Sequence, residues 1–203
     1  MKITIVNQNS QIAYFRFGGS DTPAPIGTYN GATLDGSASL AIPANGSLTG
    51  IDLTQFVGGK VLFSLGAPVQ AIPDFQYQAA GPDVGTPWDK LELSLFSDPA
   101  QVSVLNMTST DFYGFDMTVQ TYAHPGDTTA LTTLTFTTPT TTLLGQLATL
   151  SNNNPYAVVT GPNGVPVNGE NVLRIVSPST VPPSQTSAYP SFQPYITLSL
   201  IHI

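Results

Sequence analysis

Apolar and polar residues alternate with a period of two along much of residues 1–125. Runs of this kind occupy Lys2–Asn7, Ile12–Phe17, Ser39–Ile42, Lys60–Leu65, Lys90–Phe96, Val102–Leu105 and Phe115–Tyr122. Such alternation marks strands with one buried face. Turn-forming residues separate the runs at Gly18-Gly19-Ser20-Asp21, Pro43-Ala44-Asn45-Gly46 and Gly58-Gly59. Many short strands cut by turns predict an antiparallel β-sandwich or barrel.

The pattern changes after residue 126, where Thr and Leu become frequent. Leu143, Leu144, Leu147 and Leu150 fall on one helical face and predict a short helix over 141–150 that packs through that face. Val172–Val176 reads as a strand, and the proline-containing segment 178–194 as an irregular loop. The expected organisation is a β core over 1–125, a small mixed α/β region over 126–196, and a separate tail over 197–203. Leu198-Ser199-Leu200-Ile201-His202-Ile203 matches the translation of a transposon end used in DNA library preparation. The tail is read either as an assembly artefact or as an ordinary terminal strand.

Length and composition narrow the picture. The chain has 203 residues, enough for one large domain or two small ones and for a true core. Apolar residues make up 41%, which excludes a disordered chain. Charged residues make up only 8%, against a usual share of about 25%, so solubility falls to Thr, Ser, Asn and Gln. With a net charge of −7 and five basic residues, the chain lacks the clustered cations that nucleic acid or an anionic membrane surface requires. A neutral polysaccharide is not repelled. There are no cysteines, so disulfides, thiolate zinc sites and a Cys nucleophile are out. Met1–Asn7 is too short an apolar run for a signal peptide, and no stretch reaches the ~18 apolar residues of a membrane span.

Few constellations carry chemistry. With only His124 and His202 available, no transition-metal spacing exists, and no resident metal or cofactor is expected. No Gly-x-Ser-x-Gly elbow, Walker loop or dinucleotide fingerprint occurs. His124 sits in a turn-like His124-Pro125-Gly126-Asp127. Carboxylates remain. In Trp88-Asp89-Lys90-Leu91-Glu92-Leu93-Ser94-Leu95, alternation sets the leucines on one face and Lys90, Glu92 and Ser94 on the other. Asp111 follows the strand-like segment 105–110. Glu92 also reads as an ordinary surface glutamate, and Asp111 as a turn aspartate. The step between them, 111 − 92 = 19 residues, lets a strand end, turn and return beside itself. Paired carboxylates are the usual equipment for glycosidic cleavage.

Several short motifs resemble, in order, those of the glycoside hydrolase family 64 β-1,3-glucanases of the laminaripentaose-producing type. Gly58-Gly59-Lys60-Val61-Leu62-Phe63-Ser64 is similar to the family's GG-(R/K)-(I/V)-x-F-S strand. Trp88–Leu95 resembles the strand that bears its catalytic acid, and Asn106–Phe112 the segment that bears its catalytic base. Leu173–Pro178 and Phe192–Ile196 resemble two later segments. The resemblance covers roughly residues 58–196. It implies a thaumatin-like β-sandwich or barrel with a small α/β insertion, and cleavage of β-1,3-glucan with inversion in an open groove. It makes Glu92, protonated through partial burial, the general acid and Asp111 the general base. Trp88, Ser94 and Tyr113 would contact substrate, with Trp88 and Tyr113 equally readable as core. Phe112 reads as core. The resemblance also implies a secreted protein, and a chain that continues past Thr197, where the family has Asp. Two other readings stay open: a thaumatin-like module that binds β-glucan without cutting it, and a structural β-sandwich protein. Oligomeric state is not readable from the sequence.

Overall fold

The computed structural model describes residues 1–18, 24–69, 85–107 and 112–177, together with Ser184. Asp111, most of the expected Gly18–Asp21 turn, the 178–194 loop apart from Ser184, the Phe192–Ile196 motif and the tail lie outside the described residues. The protein is mainly β, with antiparallel curled sheets and one helix among the described residues. In chain order the strands are β1 (Lys2–Val6), β2 (Ala13–Gly18), β3 (Ile26–Tyr29), β4 (Ala32–Thr33), β5 (Leu40–Ile42), β6 (Ser47–Leu65), β7 (Trp88–Leu95), β8 (Val104–Asn106), β9 (Phe112–Tyr113), β10 (Thr118–Thr121) and β11 (Thr132–Thr135). Helix α1 (Thr140–Leu150), β12 (Val158–Val167) and β13 (Glu170–Val176) follow.

The organising element is β6, 19 residues long. Its first half pairs with β1 and β3, and its second half with β2 and β7. One strand thus serves both layers of a sandwich, and such switching is made at bends and bulges. Gly58-Gly59, expected as a turn between strands, is that bulge. The β6–β7 register slips between Phe56 and Gly59, and Gly58 has φ +62°. Phe56, buried at the core, folds its ring over Gly59. A Cβ on Gly59 would fall inside that ring. Gly59→Ala is therefore expected to lower the unfolding free energy by about 1–3 kcal/mol, read from chemical denaturation. A change within error would mean that the ring moves aside freely.

The two halves close over one core. Phe15 and Phe17 from β2, Leu48, Ile51, Leu53, Phe56 and Val61 from β6, and Leu91 and Leu93 from β7 meet there. Phe15 and Phe17 pack edge to face with ring centres 4.7 Å apart, a favoured aromatic geometry. Strand alternation then sends neighbouring residues the other way. Leu62 and Trp88 join a second cluster with Val69, Val159, Leu173 and Val176. A third sheet, in the order β12-β13-β9, is thereby packed on the outer face of β6 and β7. Its own far face carries α1, through Leu144, Ala148, Val167, Val172 and Ile175. Buried on both faces, the Val172–Val176 part of β13 is apolar at every position except Arg174, rather than alternating.

The helix begins one residue earlier than expected. Pro139 offers no side-chain cap. Asp116 takes over from outside, its Oδ2 accepting the Thr140 N–H at 3.0 Å, as a carboxylate at a helix start should. The expected leucine stripe is rotated: Leu144 and Ala148 are fully buried, Leu143 and Leu147 flank them, and Leu150 is exposed. Asn168-Gly169 (φ 50° and 87°) closes the tight β12–β13 hairpin, the turn this dipeptide favours. The expected boundary at residues 125 and 126 falls inside the β10–β11 hairpin. In addition, β9, from the expected first region, belongs to the third sheet.

Candidate functional site

The face of β6 and β7 turned towards the third sheet is built in cross-strand rows. Tyr14, Ser64 and Trp88 form the first row, and Arg16, Leu62 and Lys90 the second. Gly18, Lys60, Glu92 and Asn106 form the third. Residues two apart on a strand share a face, so all three rows lie on one side of the sheet. Arg174 of β13 adds a fourth cation, its guanidinium carbon 5.1 Å from the centre of the Trp88 ring, within cation–π range. Four of the chain's five basic residues thus gather on one face of an acidic protein.

Burial falls along β7 towards the third row. Trp88 is 1% exposed and Lys90 4%, covered by the third sheet. Lys60 and Asn106 are half-buried, and Glu92 is exposed. Glu92 therefore stands at the rim of a covered polar layer, rather than partly buried as expected. Asn106 Nδ2 donates to Glu92 Oε2 at 3.4 Å. Lys60 and Asn106 are its partners in register on the two neighbouring strands.

The other expected residues have different surroundings. The Ser94 hydroxyl accepts the Gly58 N–H at 2.9 Å, so it holds the β6 bulge. Trp88 and Tyr113 are both buried; their rings are packing surfaces, lacking the exposure a sugar platform needs. The Tyr113 hydroxyl donates to Asp116 and approaches the Thr140 hydroxyl at 3.4 Å. Burial and the neighbouring Asp116 carboxylate raise its pKa. His124 is exposed and binds Asp127 within its own turn, with Nδ1 3.6 Å from the carboxylate.

One residue of this region carries chemistry that the motif reading passed over. Asp89 sits on β7 and is 1% exposed. Its Oδ1 accepts the Lys90 N–H at 2.7 Å, and its Oδ2 accepts the Gly114 N–H at 2.8 Å and the Phe115 N–H at 3.4 Å. Burial pushes its pKa up to about 6, against the pull of those three amides and of Lys90. The sequence signal was available: Asp89 occupies the same alternation phase as Leu91, Leu93 and Leu95, where a carboxylate must find buried partners.

Among the described residues, no group of three or more His, Cys, Asp or Glu is gathered so as to hold a metal ion. None of their helices is long and apolar enough to cross a membrane. An open groove of about 760 Å³ runs between α1 and the β12–β13 turn, lined by Thr141, Gln146, Thr149, Pro166 and Asn168 among others. Glu92 does not line it. No protein-family model matches the chain, and no curated protein matches it in sequence.

Proposed function

We propose that the protein hydrolyses β-1,3-glucan outside the cell by an inverting mechanism, with Glu92 as proton donor and Asp111 as base. The observation that carries this reading is the position of Glu92. It is the exposed carboxylate of a row, Lys60–Glu92–Asn106, at the open end of a face whose other rows are covered. A polymer laid across a rim can reach such a group from the side. Chain connectivity adds support. Asn106, the partner of Glu92, is five residues before Asp111, a step of at most ~18 Å of extended chain.

In this mechanism Glu92 protonates the leaving glycosidic oxygen while Asp111 deprotonates a water on the opposite face of the sugar. The pair must leave room for that water, with about 6.5–9.5 Å between carboxyl groups. Because Glu92 is exposed in the free protein, covering of the rim by the bound sugar chain is what removes water from the acid. Asn106 and Lys60 hold donors on either side of it.

The test is release of reducing sugar from a linear β-1,3-glucan by the full-length protein, with the anomeric configuration of the first product read by NMR. Release of the inverted anomer is expected. Binding without release supports the non-catalytic module instead, and neither binding nor release removes glucan from the account.

A further inference from the structure

Strand β8 pairs with β7 only from Glu92 to Ser94. Beyond Glu92, towards Trp88, a different segment meets the β7 edge, residues 113–115. It comes very close: a Cβ on Gly114 would lie 2.5 Å from the Trp88 carbonyl oxygen, so only glycine fits at that point. No β7 ladder to this segment exists among the described strands. The Asp89 carboxylate takes the place of one, accepting the amides of both Gly114 and Phe115 while its other oxygen accepts its own strand's Lys90 amide. The same segment is held from the other side. Tyr113 pairs in register with Ile175 of β13, and Asp116 fastens to Thr140 at the start of α1. Asp89 is thus the buried joint between β7, which bears Glu92 three residues on, and the segment that begins just after Asp111.

We propose that Asp89 is a positioning residue for glycoside cleavage: its buried carboxylate fixes the Gly114–Phe115 segment against the strand that carries Glu92. This rests on the reading of Glu92 and Asp111 as acid and base. Asp89 touches neither substrate nor reacting atoms. It acts by holding the Gly114–Phe115 segment and the strand that bears Glu92 in one geometry, and a misplacement of about 1 Å costs about 10²-fold in rate.

The experiment compares full-length wild type with Asp89→Asn, which keeps the shape but sets an amide nitrogen against an N–H donor. Amide hydrogen exchange by NMR and steady-state kinetics on linear β-1,3-glucan are measured at a temperature where both proteins are fully folded. Exchange at Gly114 and Phe115 is expected to rise at least ~10-fold, locally. kcat per folded molecule, with the folded fraction read from the same NMR spectra, is expected to fall ~10²-fold with KM changed less than about 2-fold. Normalising to folded protein separates this from mere loss of active molecules, which also lowers apparent kcat at constant KM. An unchanged kcat in the folded variant overturns the proposal, and so does loss of protection spread evenly over the chain. If wild type releases no sugar, the cleavage reading fails by itself, and local exchange at Gly114 and Phe115 still decides whether the joint exists.

If Asp89→Asn does not fold, wild type alone supplies the test. The Gly114 and Phe115 amide shifts must titrate together with the Asp89 carboxyl carbon. Lys90 on β7 and Tyr113 on the held segment are the titratable neighbours that act on or feel this carboxylate, and their own signals separate them. Amides that titrate independently of Asp89 overturn the proposal.

Discussion

Glu92→Gln and Asp111→Asn are each expected to lower β-1,3-glucan hydrolysis by the full-length protein by about 10²–10⁴-fold, the usual contribution of a positioned acid or base. Both changes keep shape and remove proton transfer. For Glu92 the surroundings make the comparison clean. The side chain is exposed, and its single described hydrogen bond, from Asn106 Nδ2, can still be accepted by the Gln carbonyl oxygen. The unfolding free energy should therefore change by less than about 0.5 kcal/mol. Rates are compared by reducing-sugar release from equal amounts of folded protein. Azide rescue gives a second reading: azide, attacking the anomeric carbon in place of the activated water while Glu92 protonates the leaving oxygen, should restore part of the cleavage rate to the base variant, read by NMR as a glycosyl azide, but none to the acid variant. Parental rates in both variants would sink the acid–base pair.

Local signals in the sequence were legible where one strand or one turn decides the outcome. The alternation of Lys2–Val6, Ala13–Gly18 and Leu91–Leu95 and the turn at Pro43–Gly46 are found within a residue or two of their expected places. Two other local signals were present and passed over. Asn30-Gly31 and Asn168-Gly169 each link strands in tight register, Tyr29 to Ala32 and Val167 to Glu170. Asn-Gly between strand-like runs is a strong hairpin indicator, so β3, β4 and β12 could have been read from it. Gly58-Gly59 shows the opposite failure. A glycine pair inside a strand run marks a bulge as readily as a turn, and only the length of β6 decides between them.

The candidate site was legible only in part, because it depends on register between distant strands. Alternation correctly sets Glu92 on the face opposite the leucines. It cannot say that Lys60 and Asn106 flank Glu92, since those pairings join residues 32 and 14 positions away, 92 − 60 and 106 − 92. Nor can it say that the third sheet covers Trp88 and Lys90 but stops short of Glu92. That cover comes from Leu173 and Val176 on β13, more than 80 residues along the chain, as 173 − 88 = 85 shows. A tryptophan two residues from Lys90, on the face opposite the leucines, looks available for stacking until that layer is added.

The pH dependence of stability should show the buried Asp89 directly. Its pKa is near 3.8 in the unfolded chain and is pushed up to about 6 in the fold, chiefly by burial. The folded protein therefore holds this proton more tightly than the unfolded chain does. The resulting stabilisation is complete below pH ~3.8 and is lost as pH rises through about 6. The gap between 3.8 and about 6 corresponds to about 3 kcal/mol. The unfolding free energy of wild type is accordingly expected to fall by up to that amount between pH 4 and pH 7, measured by denaturant titration at constant ionic strength. Asp35 works with the opposite sign. The hydroxyl and amide of Ser37 hold its carboxyl below its usual value, so its contribution is lost only as pH falls below about 4 and stays outside the window. Asp89→Asn should abolish the slope between pH 4 and 7. The variant also sets one amide group against an N–H donor, a penalty of about 1–3 kcal/mol, but that penalty does not vary with pH and leaves the slope as a clean readout. Stability that rises with pH across this window, or a slope that survives in Asp89→Asn, would mean that the three backbone amides outweigh burial and that Asp89 is ionised throughout.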